Sequence, residues 1–370
     1  LSLLDSSVSV PDVHLPIGIS FFTFQAMSYV IDVYRQDVAV QKKVSNIFLY
    51  ISMFPQLIAG PIVRYFDIEK QLDERKVTLA DFESGIVRFI IGLAKKVLIA
   101  NNMALVADGV FNSQVVHLST GSAWLGLIAY TLQIYFDFSG YSDMAIGLAS
   151  MFGFSLKENF NYPYISRSAT EFWRRWHISL GSFFRDYVYI PLGGNRKFKL
   201  RNLFIVWFLT GLWHGASWNF VIWGLYFFVF LLIEKTFLQK IFDKIPKIFS
   251  HIYFVLVMLI GWVFFYNTDL IQAIRYIGVM FNINAVSFSD PILTILFNNN
   301  VLFIIGAVIC AVPLGKLLKQ VFEKLENKIS NGRTDIVNSV IIPLINIALL
   351  AVSIIFLVGD TYTPFLYFNF

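Results

Sequence analysis

Charge is what this sequence has least of. Asp, Glu, Lys and Arg make up 14% of its 370 residues, against about 25% in water-soluble domains, so there is too little polar surface to cover the chain in water. Cysteine is almost absent. Cys310 stands alone inside an apolar run, which excludes an internal disulfide and a cysteine metal cluster. The five histidines are scattered, with no HExxH and no paired Cys/His spacing, and that argues against a metal site. No GxSxG elbow offers a serine nucleophile, and no phosphate-loop lysine and serine pattern supports nucleotide hydrolysis. The first residues, Leu1-Ser2-Leu3-Leu4, carry no basic stretch and are not expected to act as a signal peptide. The net charge of +5 is small and lies between apolar runs, so it suits membrane loops rather than a nucleic-acid partner.

What the sequence has is apolar length. Hydrophobic residues reach 57% and mean hydropathy is +0.65, in runs at 15–34, 46–63, 85–107, 122–153, 202–234, 251–266, 301–315 and 338–358. Runs of this length are the signature of transmembrane helices. The expected fold is therefore all-α: one polytopic transmembrane bundle of nine or ten helical pieces, some broken or re-entrant. The 202–234 run would be about 50 Å long as one helix, against a hydrocarbon core of roughly 30 Å; Gly211 and Gly215 mark the expected break. The 122–153 run has the same excess, with Ser139-Gly140 as its expected weak point. Of the 29 Lys and Arg residues, 22 lie in four stretches, 64–80, 157–201, 235–247 and 316–333, which the positive-inside rule places in the cytoplasm. The loops at 108–121 and 267–300 hold only Arg275 and are expected outside. Run 46–63 has basic residues on both flanks and carries Phe54-Pro55 and Gly60-Pro61. Because proline removes an amide donor, we read this run as a re-entrant pair buried in protein rather than a crossing. The uncharged aromatic end, Thr361 to Phe370, is expected to pack at the outer interface.

Ionisable groups inside apolar spans are costly and by default mark function. His214, in Gly211-Leu212-Trp213-His214-Gly215, can accept a proton near neutral pH, and its flanking glycines allow close approach; a plain hydrogen bond between helices is the competing reading. His177 lies in Glu171-Phe172-Trp173-Arg174-Arg175-Trp176-His177. Ser168 and Glu171 are spaced as a capping box. A helix starting there would put Trp173, His177 and Phe184 on one face and Arg174 and Arg185 on another, as in a helix lying in the cytoplasmic interface. Interfacial anchoring alone would also explain that pattern. Arg167, Arg174, Arg175, Arg185, Arg196, Lys197, Lys199 and Arg201 form a stretch suited to phosphates, with Gly193-Gly194-Asn195 able to offer backbone amides; positive-inside loops are basic in any case. Asp137 and Asp143 stand in a mostly apolar run, to orient a histidine, to hold a break at Gly140, or for structure alone.

On these residues the chain resembles the membrane-bound O-acyltransferases, and among them the members that O-acetylate alginate and related envelope polymers. The matching segments are Pro16 to Gln25, Phe54 to Ile62, Tyr135 to Asp143, Phe172 to Asp186, Gly211 to Gly215 and the tail Pro364 to Phe370. The resemblance implies a single family domain over 1–370, with the family's first spans expected upstream of Leu1, and a bacterial inner-membrane location. It implies that His214 and His177 are catalytic, on pieces that meet in a central funnel, with His214 the general base and His177 orienting the donor or steadying the thioester carbonyl. Acetyl-CoA is the implied donor substrate, with no permanently bound cofactor, and Arg174, Arg175, Arg185, Trp173 and Trp176 are the residues expected to hold it. An extracytoplasmic acetyltransferase or carrier protein, a polysaccharide acceptor and membrane lipid are the implied partners. A glycan transporter or flippase shares the apolar bundle, broken helices and buried polar groups, but no repeat halves are detectable and it would release no CoA from acetyl-CoA; a scaffold within a synthase complex predicts that both histidines can be replaced without consequence.

Overall fold

The computed structural model describes residues 18–215, 217–314, 340–359 and 365–366. The basic stretch at 316–333, Pro16-Ile17 and most of the aromatic tail lie outside the described residues. The fold is all-α, and no strand occurs among the described residues. Helices α1 (Ile19–Tyr34), α2 (Val44–Ser52) and α3 (Tyr65–Glu74) precede the long α4 (Leu79–Phe111) and α5 (Thr120–Met151). Two short pieces follow, α6 (Ala169–Phe172) and α7 (Ile178–Phe184), then α8 (Lys199–His214), α9 (Trp218–Phe242), α10 (Lys247–Tyr266), α11 (Leu270–Met280), α12 (Pro291–Cys310) and α13 (Ile342–Gly359). Five of these, α4, α9, α10, α12 and α13, are long and apolar enough to cross a membrane. The outermost ones show it plainly: Leu302 on α12 and Val358 on α13 are each 80% exposed, a position suited to lipid.

The helices begin where local chemistry allows. Thr78 and Asp81 form a reciprocal capping box at α4. Ser119 caps α5 by accepting the Ser122 N–H. Asp290 caps α12 through the Leu293 N–H and also accepts the Ser122 hydroxyl and the Ser119 N–H, so the two loops expected outside meet at one end of the bundle. At the other end, Lys157 pairs with Asp67, joining two stretches that the charge pattern put in the cytoplasm, and Arg88 near the start of α4 pairs with Glu158 of one of them.

α5 is the central post, buried along most of its length and packed against α4, α10, α11 and α12. It does not break at Ser139-Gly140. The glycine serves close approach instead: a Cβ on Gly140 would lie 2.8 Å from the Gly92 carbonyl oxygen, and one on Gly92 2.6 Å from that of Gly140. Gly85 and Gly147 repeat the contact two turns away, a small-residue seam of the kind that lets membrane helices touch. The long apolar run 202–234 does break, after His214, where Gly215 takes an extended conformation that ends α8. Run 46–63 is not a pair of helices. α2 is nine residues, about 14 Å, and after one 3-10 turn at Phe54–Gln56 the chain runs irregularly and buried to Arg64. Protein groups satisfy that backbone, as with the Ile62 N–H on Ser179 Oγ at 3.0 Å and the Tyr141 hydroxyl on the Leu57 carbonyl at 2.7 Å. The expected interfacial helix through His177 is also absent. α6 ends after four residues and His177 takes a left-handed conformation, φ 44°, which no continuous helix permits.

Candidate active site

Seven segments converge on one buried cavity. α5 supplies Ile134, Asp137, Phe138 and Tyr141; the turn between α6 and α7 supplies Trp176 and His177; α8 ends in it with His214. Trp223 of α9, Trp262 and Phe265 of α10, Ala59 of the irregular segment, and Phe365 and Leu366 close it. The void is narrow, about 30 Å³, room for one or two waters, so a larger group enters only with side-chain movement. Asp137 places its depth: about 25 Å along α5 from Thr120 and about 21 Å from Met151.

His214 is the last residue of α8 because Gly215 stops the helix there. Its ring stands in an aromatic cage, with Trp213 at 4.8 Å, Trp223 at 4.9 Å and Phe265 at 5.1 Å between centroids. Among the described residues no hydrogen bond holds either of its nitrogens.

His177 is held differently. The ring is 2% exposed, edge-on to Phe138 at 4.7 Å and near Trp213 at 6.1 Å, the indole that also touches His214. Its Nδ1 lies 3.2 Å from Asn159 Oδ1, while Nε2 is buried without a hydrogen-bond partner among the described residues. Asn159, fully buried, also accepts the Ile178 N–H on its carbonyl at 3.0 Å. That bond, with the left-handed turn, sets the direction in which His177 points.

The five residues expected at the donor divide. Trp176 lines the cavity, stacked on Phe172 at 5.4 Å and packed against Trp262. Trp173 lies behind it, among Trp207, Trp223 and Phe227. Arg175 is tied to Glu171 at 2.9 Å and to the Asn161 carbonyl. Arg185 is tied to Asp186, which also takes Arg64, while Arg35 bonds the Asp186 carbonyl. Arg174 is exposed and belongs to another cluster, where its charge and that of Lys199 act on Lys235. Burial pushes the Asp186 carboxyl up, but the hydrogen bond and charge of Arg185, with Arg64 behind them, outweigh it and hold the group below the usual carboxylate range. Neither acid of α5 touches a histidine: Asp143 binds Arg88 and Lys95, and Asp137 binds Lys96.

Three features were not visible in the sequence. Asn159 is a lone amide in a loop, with no spacing to single it out. The Lys96–Asp137 pair joins α4 to α5 beside the cavity, and Asp137 also accepts the Leu366 N–H at 2.8 Å. The tail therefore turns inward at Phe365–Leu366 instead of packing at the outer interface. Glu234 is 1% exposed and accepts the Ala169 and Thr170 N–H groups at 2.6 and 2.8 Å, anchoring the turn that carries Trp176 and His177. No cluster of three or more His, Cys, Asp or Glu among the described residues is arranged to hold a metal.

Residues 2–268 match the family model described as MBOAT, membrane-bound O-acyltransferase family. A protein of Azotobacter vinelandii named "Probable alginate O-acetylase AlgI" is 46% identical over 284 residues, covering 76% of this chain and 56% of that protein. The Helicobacter pylori peptidoglycan O-acetyltransferase is 34% identical over 96% of this chain and 75% of its own. A Bacillus subtilis teichoic acid D-alanyltransferase is 30% identical over 64% of this chain and 65% of its own. The chain spans a little over half the length of the alginate-type relatives it matches.

Proposed function

Since the chain belongs to the membrane-bound O-acyltransferase family, we propose that it takes an acetyl group from cytoplasmic acetyl-CoA and passes it across the bacterial inner membrane for O-acetylation of an extracytoplasmic polysaccharide, with a partner protein completing the transfer. The observation that supports this best is the pair of imidazoles, His177 and His214, on one cavity about halfway along α5. Acyl transfer from a thioester to a hydroxyl needs a group to take the hydroxyl proton and groups to steady charge on the carbonyl oxygen. Two imidazoles on one narrow, largely apolar cavity can divide that work. The phosphates of CoA would meet the cytoplasmic cations, with Arg174, Lys199 and Lys235 as one cluster and Arg64 and Arg185 as another.

The kinship with alginate, peptidoglycan and teichoic-acid acyltransferases supports an envelope polymer as the final acceptor. The test replaces each histidine with alanine in the full-length protein and measures CoA release by membranes and acetate on the envelope polysaccharide. A positioned base is worth about 10²–10⁴-fold, so His214→Ala and His177→Ala should each lose at least about 100-fold while accumulating normally. Full acetylation by a well-expressed His214→Ala protein refutes the proposal.

A further inference from the structure

The hydrogen bonds around Asn159 fix which nitrogen of His177 carries its proton. The backbone N–H of Ser179 points at Asn159 Oδ1 from 3.2 Å. A backbone N–H can only donate, so the side-chain atom it faces must be the amide oxygen, not the nitrogen. Ser179 Oγ, which already accepts the Ile62 N–H, turns its own proton to the same oxygen at 2.9 Å. The amide nitrogen, Nδ2, donates to Ser142 Oγ at 3.2 Å. With an acceptor 3.2 Å from His177 Nδ1, that nitrogen must carry the hydrogen. Ser179 Oγ, at 3.5 Å from Nδ1, has committed its proton elsewhere. A neutral imidazole has one N–H, so Nε2 keeps a bare lone pair, buried and without a partner, in a residue that lines the cavity.

We infer that Asn159 is a positioning residue that locks His177 in its Nδ1–H form, and that Nε2 of His177 is the proton acceptor in the transfer. This rests on the acyltransferase reading above, and it departs from the roles expected from the family resemblance, with His214 the general base and His177 orienting the donor or steadying the carbonyl: a bare Nε2 accepts a proton and cannot donate to a carbonyl oxygen. The step balances. The acceptor hydroxyl gives its proton to Nε2 as its oxygen bonds the acetyl carbonyl carbon, the C–S bond of acetyl-CoA breaks, and the proton passes from Nε2 to the departing thiolate. The positive charge that appears transiently on the ring strengthens its Nδ1–H bond to Asn159. His214, whose nitrogens no hydrogen bond among the described residues fixes, can present an N–H to the carbonyl. The other titratable groups at the cavity are His214, Tyr141 and Asp137, the last held by Lys96.

The experiment measures CoA-thiol release from acetyl-CoA by inverted membrane vesicles carrying the full-length protein, as a function of pH. Asn159→Asp keeps the shape and puts a carboxylate opposite the donors of Ser179 and His177. Its negative charge favours the imidazolium, so the acid limb of kcat should move up by about one pH unit with KM for acetyl-CoA unchanged. Ser142→Ala, which removes only the partner of the amide nitrogen, should lower kcat about 3–10-fold at unchanged KM, and serves as the readout if the aspartate variant does not accumulate. An unmoved acid limb in a folded Asn159→Asp protein overturns the inference, as does an unchanged kcat in Ser142→Ala. If His177→Ala and His214→Ala both retain full CoA release, the acyltransferase reading itself has failed; if both are inactive and Asn159→Asp has an unshifted profile, only the role of Asn159 has.

Discussion

Replacing Lys96 with methionine removes one half of an ion pair from which water is nearly absent. The Lys96 and Asp137 side chains are 9% and 5% exposed, and Nζ sits 2.5 Å from Oδ1. The methionine fills most of the space, so the cost is electrostatic: Asp137 keeps only the Leu366 N–H at 2.8 Å as partner for a buried charge. Breaking such a pair costs about 3–5 kcal/mol, whereas exchanging both members for apolar residues of similar volume is often neutral. Lys96→Met should therefore destabilise by about that amount, and Asp137→Leu, which leaves Lys96 over the Phe365 ring at 4.6 Å, towards the lower end of it. The double variant should fall within about 1 kcal/mol of the parent, the remainder being the lost bond to Leu366 and the lost contact of Lys96 with the Phe365 ring. At about 2–4 °C per kcal/mol, each single variant loses roughly 10 °C in thermal midpoint and the double only a few degrees. The assay is the fraction of detergent-solubilised protein that stays monodisperse after stepwise heating. A double variant that falls as far as either single one would show that the charges are not coupled and would refute the argument.

Gly92→Ala places a methyl group 2.6 Å from the Gly140 carbonyl oxygen and 2.7 Å from the Met144 nitrogen, both backbone; α4 and α5 must part, at about 1–3 kcal/mol, read as a lower thermal midpoint with reduced CoA release. Glu234→Ala strands the buried Ala169 N–H and leaves that of Thr170 without its acceptor, about 1–3 kcal/mol each; Glu234→Gln should recover part of the loss in midpoint. The Asp186 carboxyl is held below its ordinary range by Arg185 and Arg64 against the effect of burial. Its contribution is thus fully present above the unfolded value of about 3.9 and is lost only as pH falls through the lower folded value. The midpoint gap between the parent and Asp186→Asn should hold constant from pH 7 to 5 and narrow below about 4. A gap that closes by pH 6 would contradict this.

Composition alone determined that the chain belongs in a membrane, because 14% charged residues cannot cover an all-helical bundle in water. Local sequence also placed the break after His214 and the helix start at Ser168, since an extended Gly215 and a Ser168 oxygen accepting the Glu171 N–H act within one turn of the chain. Gly140 shows where that legibility stops. A glycine in an apolar run permits either a bend or a close approach, and only Gly92, far away in sequence, decides for the latter. The same holds for His177: the helix start before it is written nearby, but the direction of the ring depends on Asn159 and on Ser179, which in turn accepts the Ile62 N–H. Tertiary structure alone brought His177 to the same cavity as His214, and it turned Phe365 and Leu366 inward onto Asp137. Hydrogen bonds and packing between distant segments fix the orientation of a side chain, and a linear sequence carries no record of which distant segments meet.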